Sequence, residues 1–155
     1  MAGRTGFRRV VVGLDGSPHS RRAAAFVARL TPPRGGLVTC VRVVEPVRVP
    51  SMPLVPGPMR ARIAAQADTI NQGQIALARR QVEAAATKLE PSGWRARGVV
   101  RTGRPLAELL AAVRAARADV LVLGARGAGA MTHFLLGSIA EAALKHAAVP
   151  VLIVK

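Results

Sequence analysis

"ADVLVLGARGAGAMTHFLLGS", residues 118–138, passes from one structural state to another within a single stretch. Val120, Leu121, Val122 and Leu123 form an unbroken apolar run of strand length. A strand that is apolar at every position is covered on both faces, which is the situation of a parallel sheet between layers of helices. Glycines follow at 124, 127 and 137, then Ser138, and then Ala140, Ala143, Leu144 and Ala147 at helical spacing. Buried strand, glycine-rich turn, amphipathic helix: that order is one half of a βαβ unit, and "VPVLIVK" (149–155) supplies the second strand.

Working outward, the same alternation recurs. Short β-branched runs stand at 7–14 ("FRRVVVGL"), 37–44 ("LVTCVRVV") and 94–101 ("WRARGVVR"). Apolar stripes at helical spacing lie between them: Ala23, Phe26, Val27, Leu30; Ile75, Ala78, Val82, Ala85, Ala86, Leu89; and Leu106, Leu109, Leu110, Val113. Strict β-α alternation predicts an α/β layered sandwich, a parallel sheet with helices on both faces. Punctuation agrees: Ser17-Pro18 opens the first helix, "TPPRGG" (31–36) and "PSG" (91–93) close the first two, and Gly103 precedes Pro105 at the start of the third. Five prolines in 45–59, "EPVRVPSMPLVPGPM", predict a mobile loop after the second strand rather than a helix or inner strand.

The chain of 155 residues is half apolar and is expected to form one domain, with residues 1–7 a flexible lead. No run of apolar residues is long enough to cross a membrane, and Gly13 and Asp15 interrupt the N-terminal apolar stretch where a secretory signal would continue, so a cytoplasmic location is expected. A lone cysteine, Cys40, inside an apolar run predicts a small buried thiol. The net charge of +15 invites a nucleic-acid reading. The arginines are nevertheless scattered from Arg4 to Arg126, and three Phe, one Trp and no Tyr leave few platforms for stacking bases. Specific nucleic-acid binding is therefore not expected.

In open α/β sheets ligands bind beyond the carboxyl ends of strands, where neighbouring connections leave to opposite faces. The loop 124–138 sits at such an end. Gly124 ends its strand without a side chain in the crevice, Gly127 allows a positive-φ turn that aims N–H groups at an anion, and Gly137-Ser138 opens a helix whose dipole favours phosphate. Arg126 adds charge at the mouth. A plain glycine-rich connection, with Ser138 as helix N-cap, fits the same residues. A Walker A loop would need Lys where Ser138 stands, and a dinucleotide fingerprint from Gly127 would need Gly where Thr132 stands, so neither motif is present.

Gly124, Gly127, Gly137 and Ser138 meet the pattern G-x2-G-x9-G-(S/T) without a gap. In this the sequence resembles the universal stress proteins, specifically their ATP-binding branch. "VVVGLDGSPHSRRAAAFVARL" resembles the family's first strand, acidic turn and first helix, and "GRPLAELLAAVRAARADVLVLGARG" its third helix and fourth strand. "LLGSIAEAALKHAAVPVLIVK" resembles its closing helix and strand, so the likeness runs from Arg8 to the end and is weakest across 45–72. It implies an adenine nucleotide alpha-hydrolase-like fold with strand order 3-2-1-4-5, which sets Gly13, Leu14 and Asp15 beside Gly124. It further implies that Asp15 reaches the ribose, that backbone groups of Val41 meet the adenine edge, and that Gly127, Gly137 and Ser138 hold the phosphates of ATP, with Mg shared among phosphate oxygens and water. On local chemistry alone, Asp15 in "LDGSP" is equally turn and helix-cap chemistry.

The loop "AGAMTHFL" (128–135) is less basic than the family's usual stretch, which leaves phosphate affinity to backbone donors and Arg126. His133, without a visible carboxylate partner, is not assigned a catalytic role; His19 is expected on the first helix surface and His146 in the last turn of the closing helix. No general base is evident. The expected function is an ATP-binding stress-response module with at most slow hydrolysis. The competing readings are a slow ATPase or nucleotidyl-transfer enzyme of the same architecture, and a basic nucleic-acid-associated protein without nucleotide. The apolar closing strand, at a sheet edge in the implied order, predicts a homodimer through residues 149–155.

Overall fold

A computed structural model describes residues 6–127 and 136–155. In chain order the elements are β1 (Arg9–Gly13), α1 (Pro18–Ala28), β2 (Leu37–Val44), α2 (Gly57–Leu89), a 3-10 turn (Glu90–Ser92), β3 (Arg95–Thr102), α3 (Pro105–Ala115), β4 (Val120–Gly124), α4 (Ser138–His146) and β5 (Val151–Val154). The strands form a five-stranded sheet in the order β3-β2-β1-β4-β5, every neighbouring pair parallel, as expected from the resemblance.

Side chains alternate across the pleat, so each strand feeds two cores. Val10, Val12, Val38, Cys40, Val120 and Val122 pack beneath Ala23 and Val27 of α1 and Val82 and Leu89 of α2. Val11, Val41, Leu121 and Leu123 pack on the other face against Leu109, Ala112 and Val113 of α3 and Ala140 and Ala143 of α4. Each such side chain contributes about 1.5–3 kcal/mol on full burial, and among the described residues Thr39 of β2 is the one polar residue of the strands that is buried. Two polar devices close the amino end of the sheet. The Asp119 carboxylate accepts from the N–H groups of Arg8 and Arg9, each at 2.8 Å, and Trp94 donates its indole N–H to the Val27 carbonyl at 3.1 Å.

The expected helix at 75–89 is the packed half of a much longer one. α2 has 33 residues, but its buried positions before Ala78 reduce to Ala67. In the first half Met59, Ile63, Ala67 and Ile70 stand at helical spacing, but of these only Ala67 is buried. The helix begins at Gly57, inside the loop expected over 45–59, because Pro58 stands in the first turn, where a missing N–H breaks no helical bond. The proline-rich stretch 45–56 carries neither helix nor strand, and the Asn71 side chain ties it to α2 by accepting from Val47 N–H at 2.8 Å and donating to Val47 C=O at 3.1 Å. Among the described residues no helix is long and apolar enough to cross a membrane.

Candidate functional site

α1 leaves β1 toward one face of the sheet and α4 follows β4 toward the other, so the chain diverges between the adjacent carboxyl ends of β1 and β4. A cavity of about 580 Å3 opens there. Val41, Leu109 and Leu123 supply its apolar part; Gly13, Asp15, Gly124, Arg126, Gly127, Gly137 and Ser138 also line it. All eight residues singled out from the sequence are thus brought to one place. His133 and the rest of 128–135 lie outside the described residues.

The glycines act differently from the expectation. Gly127 does not have positive φ; in "LDGSP" it is Gly16 that does, at +83°. Gly127 instead stands against the Asp15 carboxylate, where a Cβ would lie 3.0 Å from Oδ2. Nor does Gly124 mainly keep the crevice clear. A Cβ on it would lie 2.5 Å from the His19 carbonyl carbon and 2.7 Å from the Ser20 nitrogen, so its bare backbone is what lets α1 close on β4. Gly137 closes the neck of the loop: its N–H donates to Ala125 C=O at 2.8 Å, and a Cβ on it would lie 3.2 Å from the Gly127 nitrogen. The chain between the two glycines therefore leaves and returns at one point.

That point is the start of α4. Gly137 is its N-cap, in extended conformation and without a side-chain cap bond, which removes the alternative of Ser138 as cap. Ser138 is the first helical residue, exposed and lining the cavity. The first intrahelical bond runs from Glu141 N–H to Gly137 C=O, so the N–H groups of Ser138, Ile139 and Ala140 precede the ladder and point out of the helix end. Together with the helix dipole they present a positive end to the cavity.

Asp15 serves the turn and does not cap α1. Oδ1 accepts from Ser17 N–H at 2.9 Å and braces the turn, while the cap of α1 is Ser17, whose Oγ accepts from Ser20 N–H at 3.1 Å. Ser17 Oγ also donates to Arg126 C=O at 3.3 Å, which couples the first turn of α1 to the glycine loop. Oδ2 faces Gly127.

Val41 lines the cavity, but its backbone is engaged within the sheet. Its carbonyl already accepts from Leu14 N–H at 2.7 Å, the last bond of the β1–β2 ladder, and its side chain is buried in the core. Backbone groups alternate sides along a strand. Val44 C=O accepts from Gly103 N–H on the β3 side, so Val43 turns its N–H and C=O to the β1 side, past the end of β1 and on the cavity wall. Val43 is the residue sequence reasoning missed; β2 outrunning β1 is the signal, and it is invisible until the register is known. Glu45 also lines the cavity. His19, expected on the surface, has a buried Nδ1 without a hydrogen-bond partner among the described residues.

The pattern of the universal stress protein family matches residues 6–155. The chain belongs to the universal stress protein family. A universal stress protein of Thermus aquaticus is 29% identical over 150 residues, covering 96% of this chain and 99% of its own. One of Mycobacterium tuberculosis is 30% identical over 153 residues, and this chain spans 45% of its length. As a fold, the protein MJ0577 superposes with a TM-score of 0.80 at 19% identity over 96% of this chain and 95% of its own. Two further family structures carry ligands: a universal stress protein in complex with cAMP (TM-score 0.63, 22% identity, 97% and 98% covered) and an Arabidopsis thaliana protein with AMP bound (TM-score 0.61, 19% identity, 95% and 90% covered).

Proposed function

We propose that this member of the family binds ATP with Mg in the cavity between β1 and β4 and acts as a nucleotide-dependent module in the stress response, with hydrolysis slow or absent. One observation carries the reading: Gly127 and Gly137 meet at the amino end of α4, where N–H groups outside the helical ladder face a cavity that also holds Asp15. Phosphates take the Gly127–Gly137 neck, the Ser138 hydroxyl and the helix end. The Asp15 carboxylate accepts from ribose hydroxyls. Adenine lies on the apolar wall of Val41 and Leu109, with Val43 N–H and C=O as the donor and acceptor at its edge. Structural neighbours that hold AMP and cAMP support an adenine nucleotide as the ligand class. Among the described residues no group of three or more His, Cys, Asp or Glu is placed to hold a metal, so Mg belongs to the phosphate oxygens and water, where it neutralises charge. Among the described residues neither His nor Lys lines the cavity, which is the reason to expect slow chemistry.

The test is calorimetric titration of Mg-ATP into the wild type and Gly127→Val. The added side chain projects at the Asp15 carboxylate and into the phosphate path, and affinity is expected to fall at least about 10-fold, the loss of one or two charge-assisted hydrogen bonds. Gly127 is exposed, so the fold is retained. Unchanged affinity in a folded Gly127→Val protein overturns the site.

β5 carries a second proposal, about assembly. It pairs with β4 on one side and ends the sheet on the other, and its four apolar residues are only half-buried. An open apolar edge is a template for pairing, and an identical strand across a two-fold axis satisfies it, so a homodimer through 149–155 is proposed.

A further inference from the structure

The β1–β4 cavity holds one carboxylate to which the nucleotide reading gives no part. Along β2 the wall takes Val41, Val43 and Glu45, while Arg42 and Val44 do not line it. That is the period of an extended chain, in which every second side chain shares a face. Val41 and Val43 pack on the α3 side, so Glu45 stands in their row, one residue past the end of β2. Among the described residues the charged part of the wall is Asp15 after β1, Glu45 after β2 and Arg126 after β4. Asp15 is already tied to its turn through Ser17 N–H. Glu45 is exposed at the rim.

Three restraints carry the strand geometry on to Glu45. Before it, Val44 C=O accepts from Gly103 N–H at 3.0 Å and fixes the Val44–Glu45 peptide on the β3 side. After it comes Pro46, whose ring drives the preceding residue to extended backbone. Val47 is then held at both of its backbone groups by the Asn71 side chain, which accepts from the N–H at 2.8 Å and donates to the C=O at 3.1 Å. The exposed first half of α2 thereby serves the site, because it holds the segment that presents Glu45.

We propose that Glu45 selects the base, a role that rests on the nucleotide reading above. Its carboxylate accepts from the exocyclic amine of adenine and disfavours a purine that carries oxygen in place of that amine. With Val43 N–H at a ring nitrogen and Val43 C=O at one hydrogen of the amine, the second hydrogen still needs an acceptor. Glu45 is the next side chain outward on the same face. An ionised carboxylate accepts only and cannot donate. An oxo purine therefore sets its oxygen against that of Glu45 with no hydrogen between them, which builds discrimination from repulsion as well as from attraction.

The test is calorimetric titration of Mg-ATP and of the magnesium salt of inosine triphosphate, whose base carries the oxygen, into the full chain and two variants. The wild type is expected to prefer ATP. Glu45→Gln keeps the size of the side chain, and its amide can turn a donor to the oxo group or an acceptor to the amine. The ratio of the two affinities is therefore expected to fall about 10-fold, the lower end for a charge-assisted hydrogen bond because the rim is wet. Glu45→Ala removes attraction and repulsion together and is expected to lower the ratio as well. Glu45 is exposed, so both variants are expected to fold. A ratio in Glu45→Gln equal to that of the wild type, or a wild type that binds inosine triphosphate as well as ATP, overturns the selection while the nucleotide site stands. A wild type that binds neither overturns the nucleotide reading and the role of Glu45 with it.

Discussion

Adding one methyl group at two glycines is expected to have opposite effects on stability, and the structure sets both signs. At Gly124 the new carbon would lie 2.5 Å from the His19 carbonyl carbon and 2.7 Å from the Ser20 nitrogen, both backbone atoms of α1. Ordinary contact between such atoms needs about 3.5–4.0 Å, so α1 must retreat by about 1 Å from β4. That displacement opens the contact made by Ala23 and Val27 with Val120 and Val122. Overpacking of this kind costs about 1–3 kcal/mol, and at about 2–4 °C per kcal/mol for a chain of this size Gly124→Ala is expected to melt about 2–12 °C below the wild type. Gly73 sits inside α2, and a Cβ there meets nothing within 4 Å. Gly73→Ala gains helix propensity without a clash, about 0.8–1.0 kcal/mol, and is expected to melt a few degrees higher. Differential scanning calorimetry on the three proteins reads both shifts. A Gly124→Ala protein as stable as the wild type would show that α1 does not seat on β4 through that glycine, and the role given to the strand-ending residue would be wrong.

Single contacts set the remaining outcomes. Burial pushes the Cys40 thiol up to about 12 from 9.0, which favours the neutral form in the fold; that contribution is complete below pH 9 and is lost as pH rises toward 12. Accordingly, dithionitrobenzoate at pH 8 is expected to leave the native protein unmodified and to titrate one thiol per chain in guanidinium; rapid reaction of the native protein would contradict the buried placement. Asp119→Ala removes the acceptor for the N–H groups of Arg8 and Arg9 and is expected to cost about 1–3 kcal/mol in urea unfolding, with Asp119→Asn recovering part of the loss. Light scattering is expected to give twice the 16.2 kDa chain mass, and Leu152→Asp to reduce it; a monomeric wild type removes the β5 dimer.

How far the sequence carries depends on the range of the physics behind each feature. Strand and helix positions are short-range: an apolar run such as 120–123 or a stripe such as Leu106–Val113 reports its own burial, and those elements appear where the pattern puts them. α2 extends beyond the stripe at 75–89 because its first half packs on little: before Ala78 only Ala67 is buried, and the prolines at 46–58 read as loop. The candidate site shows the same division. Its glycines, Asp15 and Ser138 were legible because a spacing and a resemblance mark them. What each glycine does was not, since that is set by what stands opposite: α1 backbone across from Gly124, a carboxylate across from Gly127, Gly127 across from Gly137.

By itself, then, the sequence determined the layered α/β class, the family pattern over 124–138 and the buried character of Cys40, all of which come from periodicity, spacing and local polarity. Only the tertiary structure decided that Val43 rather than Val41 turns its backbone groups to the cavity, because that depends on β2 extending past the end of β1. Only the tertiary structure, too, placed Arg42 beside Gly16 and Gln81, residues 26 and 39 positions away in the chain. A strand's own residues fix which faces are apolar; which polar atoms are left over is fixed by the neighbours that register and packing bring to them.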